Sequence, residues 1–305
     1  MTDTHTHPAH TTKRLIIAMV LNAMIFGIEL AGGLLTNSLA LVSDAMHNLS
    51  DFFALILSYV ATRVASWKSN SQKSYGYARV EIFIAFINAL TLVGIGGYII
   101  YKGINRLLHP EPVLAPLMIA IASIGFIANA SSVLLLRKDA DRNLNLKSAY
   151  LHLFTDAVSS FAVVVVGLLI SWRQWYLLDP IISVGIGVFI IKTAWTVLIE
   201  AVNILTEGTP KGLDLEEVAQ FIRSFPEVEN IHHIHIWNLS SQFRALSAHL
   251  VVKDRLISEG CVVTKRLEEA LHERFKIDHP TFQLESEVCA DQDTIVDLHH
   301  PRRKE

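Results

Sequence analysis

Residues 37–51 read Asn-Ser-Leu-Ala-Leu-Val-Ser-Asp-Ala-Met-His-Asn-Leu-Ser-Asp and run on into an apolar stretch that ends near residue 65. Inside it His47 and Asp51 stand four residues apart, and Asp44 precedes His47 by three. Positions i and i+4 of a helix share a face, so this segment presents an imidazole and a carboxylate side by side. Apolar stretches long enough to cross ~30 Å of hydrocarbon, which takes ~20 residues, recur at 15–35, 39–65, 80–107, 113–136, 148–170 and 176–204. Six in series predict an α-helical membrane protein with six transmembrane helices. Composition agrees: the 305 residues are 51% hydrophobic and 18% charged, where soluble domains carry about 25% charged residues. A net charge of −3 gives no basic signature of nucleic-acid binding.

The fifth stretch repeats the pattern with His152 and Asp156. A carboxylate near the bilayer centre costs about 2.5–3.5 kcal/mol, so two such pairs are an expensive set to keep without a function. Two helices facing each other with these pairs offer two nitrogens and two oxygens, a set that Zn²⁺ accepts tetrahedrally. Asp44 lies one turn before His47, where it could pass metal or protons toward the site. Asn22, Glu29, Asn48 and Asn88 are further polar residues at membrane depth. They read as packing and cavity lining, with Glu29 the one whose carboxyl invites a role.

Lys and Arg concentrate on alternate connections. Lys13 and Arg14 precede the first span; Lys68, Lys73 and Arg79 follow the second; Arg137, Lys138, Arg142 and Lys147 follow the fourth. The positive-inside rule places both termini in the cytoplasm. After Gly208 the pattern changes to helix 213–225, strands 228–239 and 243–252, helix 257–275 and a strand at 281–288. That order is αββαβ, an open α/β sandwich. The expected division is a disordered segment 1–12, a membrane domain 13–207, a cytoplasmic metal-binding and dimerisation domain 208–290 and a loose tail 291–305. Cys261 and Cys289 form no CxxC pair and fit reduced thiols. No nucleophile–base set, phosphate loop or His-Glu-x-x-His motif stands out, so an enzyme is not expected. A membrane metal sensor and a passive cation channel are the rival classes. The paired intramembrane ligands argue against the sensor, and a channel would show conductance without proton coupling.

Residues 37–51, the His152/Asp156 pair and the triplet His235-Ile236-Trp237 resemble the cation diffusion facilitator family, in particular its zinc-transporting branch. The resemblance runs over nearly the whole chain. It implies a ferredoxin-like cytoplasmic domain, a homodimer, alternating access and exchange of metal for protons. It also implies Zn²⁺ as the transported ion, with His47, Asp51, His152 and Asp156 as its ligands. In the cytoplasmic domain it puts His235, His249 and Glu285 at metal-ligand positions, with Cys261 a possible fourth and Gln283 where relatives carry His. Strand alternation would set His233 and His235 on one face and His232 on the other. Arg79 and Glu207 match a charge interlock of the family. The loop at 66–77 has no His, Asp or Glu, so no metal is expected there. The short segment 137–147 has no His, which fits a bacterial member in an inner membrane. His5, His7, His10, His299 and His300 are expected to bind metal weakly at most.

Overall fold

The computed structural model describes residues 23–65, 67–136 and 144–286. Asn22, Cys289 and the five terminal histidines lie outside them. The chain divides into two compact units.

The first unit comprises the chain up to Ser58 together with Ile87–Val197. It draws on α1 (Ala23–Thr36) and on α2 (Leu39–Ala65), α3 (Ala78–Leu108), α4 (Ala115–Leu136), α5 (Leu144–Arg173) and α6 (Leu178–Leu205). Among the described residues, four helices are long and apolar enough to cross a membrane: Ala78–Leu108, Ala115–Leu134, Leu153–Arg173 and Leu178–Leu205. α2 is also long, at 27 residues, but Ser43, Asp44, His47, Asn48 and Asp51 interrupt its apolar run. Lipid is as apolar as a protein core, so nothing drives the outward side chains of such helices inward. Leu134, Phe161, Leu168 and Trp195 are accordingly half exposed or more.

Inside the unit, Leu41 of α2, Met118 and Ala122 of α4, and Val163 and Ile170 of α5 are buried together. α3 and α6 approach closely where Gly96 faces Gly187. A Cβ on Gly96 would stand 2.9 Å from the Gly187 carbonyl oxygen, and one on Gly187 would stand 3.1 Å from that of Gly96. Small residues permit this approach of backbones in a membrane.

The second unit comprises Tyr59–Phe86 and the chain from Leu198 onward. Its C-terminal part has α7 (Leu215–Arg223), β1 (Val228–Asn238), β2 (Arg244–Val252), α8 (Ile257–Phe275) and β3 (His279–Glu285), in the order αββαβ. Asp214 caps α7 by accepting from the Glu216 amide at 2.9 Å. β2 pairs antiparallel with β1 and parallel with β3, so the sheet runs β1-β2-β3. The parallel pair needs a crossover, and α8 supplies it. Val218 and Ile222 of α7, Val263, Leu267 and Leu271 of α8, and Ile231, Ile234, Ile236, Leu246 and Leu250 of the sheet make one buried core.

The spacing of the β1 core residues reports an irregularity. Ile234 and Ile236 are two apart, but Ile231 and Ile234 are three apart. One residue is inserted between the pairs His232↔His249 and His235↔Ser247. His233, with φ of 53°, sits at this β-bulge.

Candidate metal sites

In the first unit, His47 of α2 and Asp156 of α5 meet, with Nε2 3.6 Å from Oδ1. Asp156 is buried and His47 nearly so. One turn earlier on α2, Asp44 accepts from Ser159 Oγ at 2.6 Å and Ser160 Oγ at 2.9 Å. Stepping back along α2 therefore means stepping forward along α5, so the two helices run antiparallel. The two serines lie three and four residues after Asp156, on its face of the helix. Sequence reasoning missed them; their spacing from Asp156 was the available signal. The side chains of Asp51 and His152 lie outside the described residues, although both positions fall within α2 and α5.

Glu29 of α1 is fully buried and accepts from Asn48 Nδ2 at 2.7 Å. Among the described residues its Oε1 has no hydrogen-bond donor, and buried Asn129 Nδ2 and Asn48 Oδ1 also lack partners. Glu29 has room because α4 carries Gly125 opposite Oε1, where any Cβ would collide.

At the other end of α2, Asp179 is buried. It accepts from Ser38 Oγ at 2.6 Å and from the amides of Leu39 and Ala40 at 2.8 and 3.2 Å. Arg106 Nη1 stands 3.5 Å from it. Glu111, in the loop between α3 and α4, accepts from Asn37 Nδ2 at 2.9 Å. That donor, and then the Arg106 guanidinium, hold the Glu111 carboxyl below its ordinary value. The Asp179 cluster was not read from the sequence; an acid in the first turn of a helix looks like an ordinary dipole complement.

In the second unit, His232, His249 and Glu285 each offer a ligand atom, and these atoms lie within 4.8 Å of one another. His249 Nδ1 is 2.8 Å and His232 Nε2 3.4 Å from the Glu285 carboxylate. The His232 and His233 ring centroids lie 5.1 and 4.6 Å from that of His249. This corrects the strand-alternation expectation. The bulge at His233 leaves His232, opposite His249, and His235, opposite Ser247, on the same face of the sheet. His235 is carried on to pair with Ser247, away from Glu285, whose own partner is Val251. Among the described residues His232, His249 and Glu285 come together, and His235, expected from the resemblance, is not one of the three. Cys261 is exposed in the first turns of α8 and is not among these three, and Gln283 Nε2 donates to Glu285 Oε1 at 2.9 Å. Arg79 and Glu207 pair at 2.8 Å. Both are substantially exposed, so the pair itself stabilises by about 0–1 kcal/mol.

The chain matches the cation efflux transmembrane domain family over residues 15–206 and the cation efflux protein cytoplasmic domain family over 210–287. It is 36% identical to the cadmium, cobalt and zinc/H(+)-K(+) antiporter of Bacillus subtilis, covering 96% of this chain and 95% of that one. It is 35% identical to the metal cation efflux system protein CzcD of Cupriavidus metallidurans, over 95% and 91% of the two chains. It is 32% identical to the zinc transporter ZitB of Escherichia coli, over 94% and 92%. With both of its domains matched and its length shared with these relatives, the chain belongs to the cation diffusion facilitator family, as a zinc-type divalent-cation efflux transporter integral to a membrane.

Proposed function

We propose that the chain exports Zn²⁺ in exchange for protons through a site made of His47, Asp51, His152 and Asp156. The observation that carries this reading is the approach of His47 to Asp156, each from one copy of the His-x-x-x-Asp motif. The antiparallel register of α2 and α5 supports the rest of the set. One turn onward on α2 from His47 is position 51, and one turn back on α5 from Asp156 is position 152. Asp44 is the accessory acid of the path.

Zinc needs neutral imidazole and ionised carboxylate, so its binding releases protons and weakens as pH falls. A site open to a near-neutral cytoplasm loads metal. The same site, opened to a proton-rich side, exchanges the metal for protons and carries them back. Binding and coupling then reside in one set of ligands, and the helices must part and rejoin around it.

Six spans, both termini in the cytoplasm, a bacterial inner membrane and a ferredoxin-like cytoplasmic domain complete the proposal. The cytoplasmic domain's family also supports a homodimer. His232, His249 and Glu285 would hold a resident zinc in that domain. They fit it because His232 is fully buried and its Nε2, 3.4 Å from Glu285, makes no hydrogen bond among the described residues, a costly state for an imidazole without a ligand. Bound there, the metal would tie β1, β2 and β3 together. Arg79 and Glu207 are proposed as a charge interlock.

The test is zinc flux into proteoliposomes under an imposed pH gradient. Wild type should follow the gradient and Asp51→Ala should abolish flux. Wild-type flux indifferent to the gradient would remove proton exchange from the proposal.

A further inference from the structure

The cluster at the start of α2 does more than a helix end needs. Ser38 already caps α2, accepting from the Leu41 amide at 3.1 Å, and a single such cap satisfies the usual requirement. Yet α6 adds a fully buried carboxylate, Asp179, to the Leu39 and Ala40 amides and the Ser38 hydroxyl. α3 adds Arg106, which reaches Asp179, Glu111 and the Asn37 carbonyl oxygen. The Leu114 amide donates to the Thr36 carbonyl at 3.0 Å and closes the connection from the α4 side. A buried carboxylate is costly unless every partner is in place, so this arrangement is close to all-or-none. Two helices, α3 and α6, are thereby fastened to the start of the helix that carries His47.

His47 lies eight residues further along α2, about 12 Å by helical rise. Between them Ala40, Leu41, Ser43, Asp44 and Ala45 are all buried. The face of α2 that carries His47 is therefore packed against neighbouring helices toward this end. Metal that leaves past this end must wait for α2 to separate from α3 and α6.

We infer that Asp179 and Arg106 form a latch that holds the α2 end of the pathway shut, with Asp179 a positioning residue for the transport-site helix and not a metal ligand. This rests on the reading that α2 lines the pathway. Opening exchanges the complete set of bonds for solvated groups in one step, as a two-position gate requires. By the charge distribution of the loops, this end faces away from the cytoplasm.

The experiment uses the full-length protein with Cys261 and Cys289 replaced by serine and Ser43→Cys added. It is reconstituted so that an impermeant thiol reagent meets the outer face. Asp179→Asn keeps the size of the side chain and removes its charge. It should raise labelling of the introduced thiol at least tenfold and lower zinc flux about tenfold. Equilibrium zinc affinity of the intramembrane site, measured with His232→Ala in every variant so that the cytoplasmic group does not contribute, should stay within threefold, a split that general destabilisation does not produce. Arg106→Gln should shift labelling in the same direction and by less, since the amide and hydroxyl donors to Asp179 remain. Unchanged labelling in both variants, or affinity and flux falling in parallel, would overturn the latch. Zinc flux that survives His47→Ala would instead overturn the pathway reading on which it stands.

Discussion

Replacing His232 tests whether the bulge in β1 selects the cytoplasmic ligands. His232 is fully buried, pairs across the sheet with His249 and holds Nε2 3.4 Å from Glu285. His235 sits opposite Ser247 on the same strand. Structural zinc sites with four ligands bind with about 10–16 kcal/mol, or roughly 2.5–4 kcal/mol per ligand, and 1.4 kcal/mol is tenfold in affinity. His232→Ala should therefore weaken zinc at this site by about two to three decades, and His235→Ala by less than about threefold. His232→Gln separates ligand loss from the cavity left by truncating a buried ring, because it keeps most of the volume. The assay is chelator-competition titration of zinc on the full-length protein carrying Asp156→Ala, so that the intramembrane site does not contribute. A loss in His235→Ala equal to or larger than that in His232→Ala would refute the assignment and with it the bulge argument.

Further expectations concern the membrane unit and the charge pair. Asp156→Asn should abolish zinc flux, while Asp44→Asn, whose amide oxygen can still accept from Ser159 or Ser160, should retain measurable flux in the same proteoliposome assay. Gly96→Val places a side chain against the Gly187 carbonyl and Ile191, where a Cβ already stands 2.9 and 2.7 Å away. Overpacking of this kind costs about 1–3 kcal/mol and should lower the midpoint of thermal unfolding in detergent. Arg79→Glu and Glu207→Arg should each reduce transport and together restore it; an absence of rescue would count against the interlock. Zinc affinity at the intramembrane site should fall as pH drops from 7.5 to 5.5, the range in which imidazoles gain protons, and a pH-independent affinity would contradict ligation by His47 and His152.

The long apolar stretches, four of which are helices able to cross a membrane among the described residues, the doubled His-x-x-x-Asp motif and the αββαβ order were legible in the chain because each is a local periodicity. α8 occupies 257–275 as its pattern predicts, and the strands shift by one to three residues at their ends. The ligand face of β1 was not legible. A single inserted residue reverses strand alternation, and whether His233 takes a positive φ depends on β2, not on β1 alone. The membrane polar contacts were hidden for a related reason. Asp44 meets Ser159 and Ser160 across 115 and 116 residues of chain, and Asp179 meets Ser38 across 141. The sequence by itself determined which segments are long apolar runs and which residue types are too costly in hydrocarbon to be without purpose. Only the tertiary structure decided which of them meet, because hydrogen bonds and ion pairs act over a few ångströms and ignore distance along the chain.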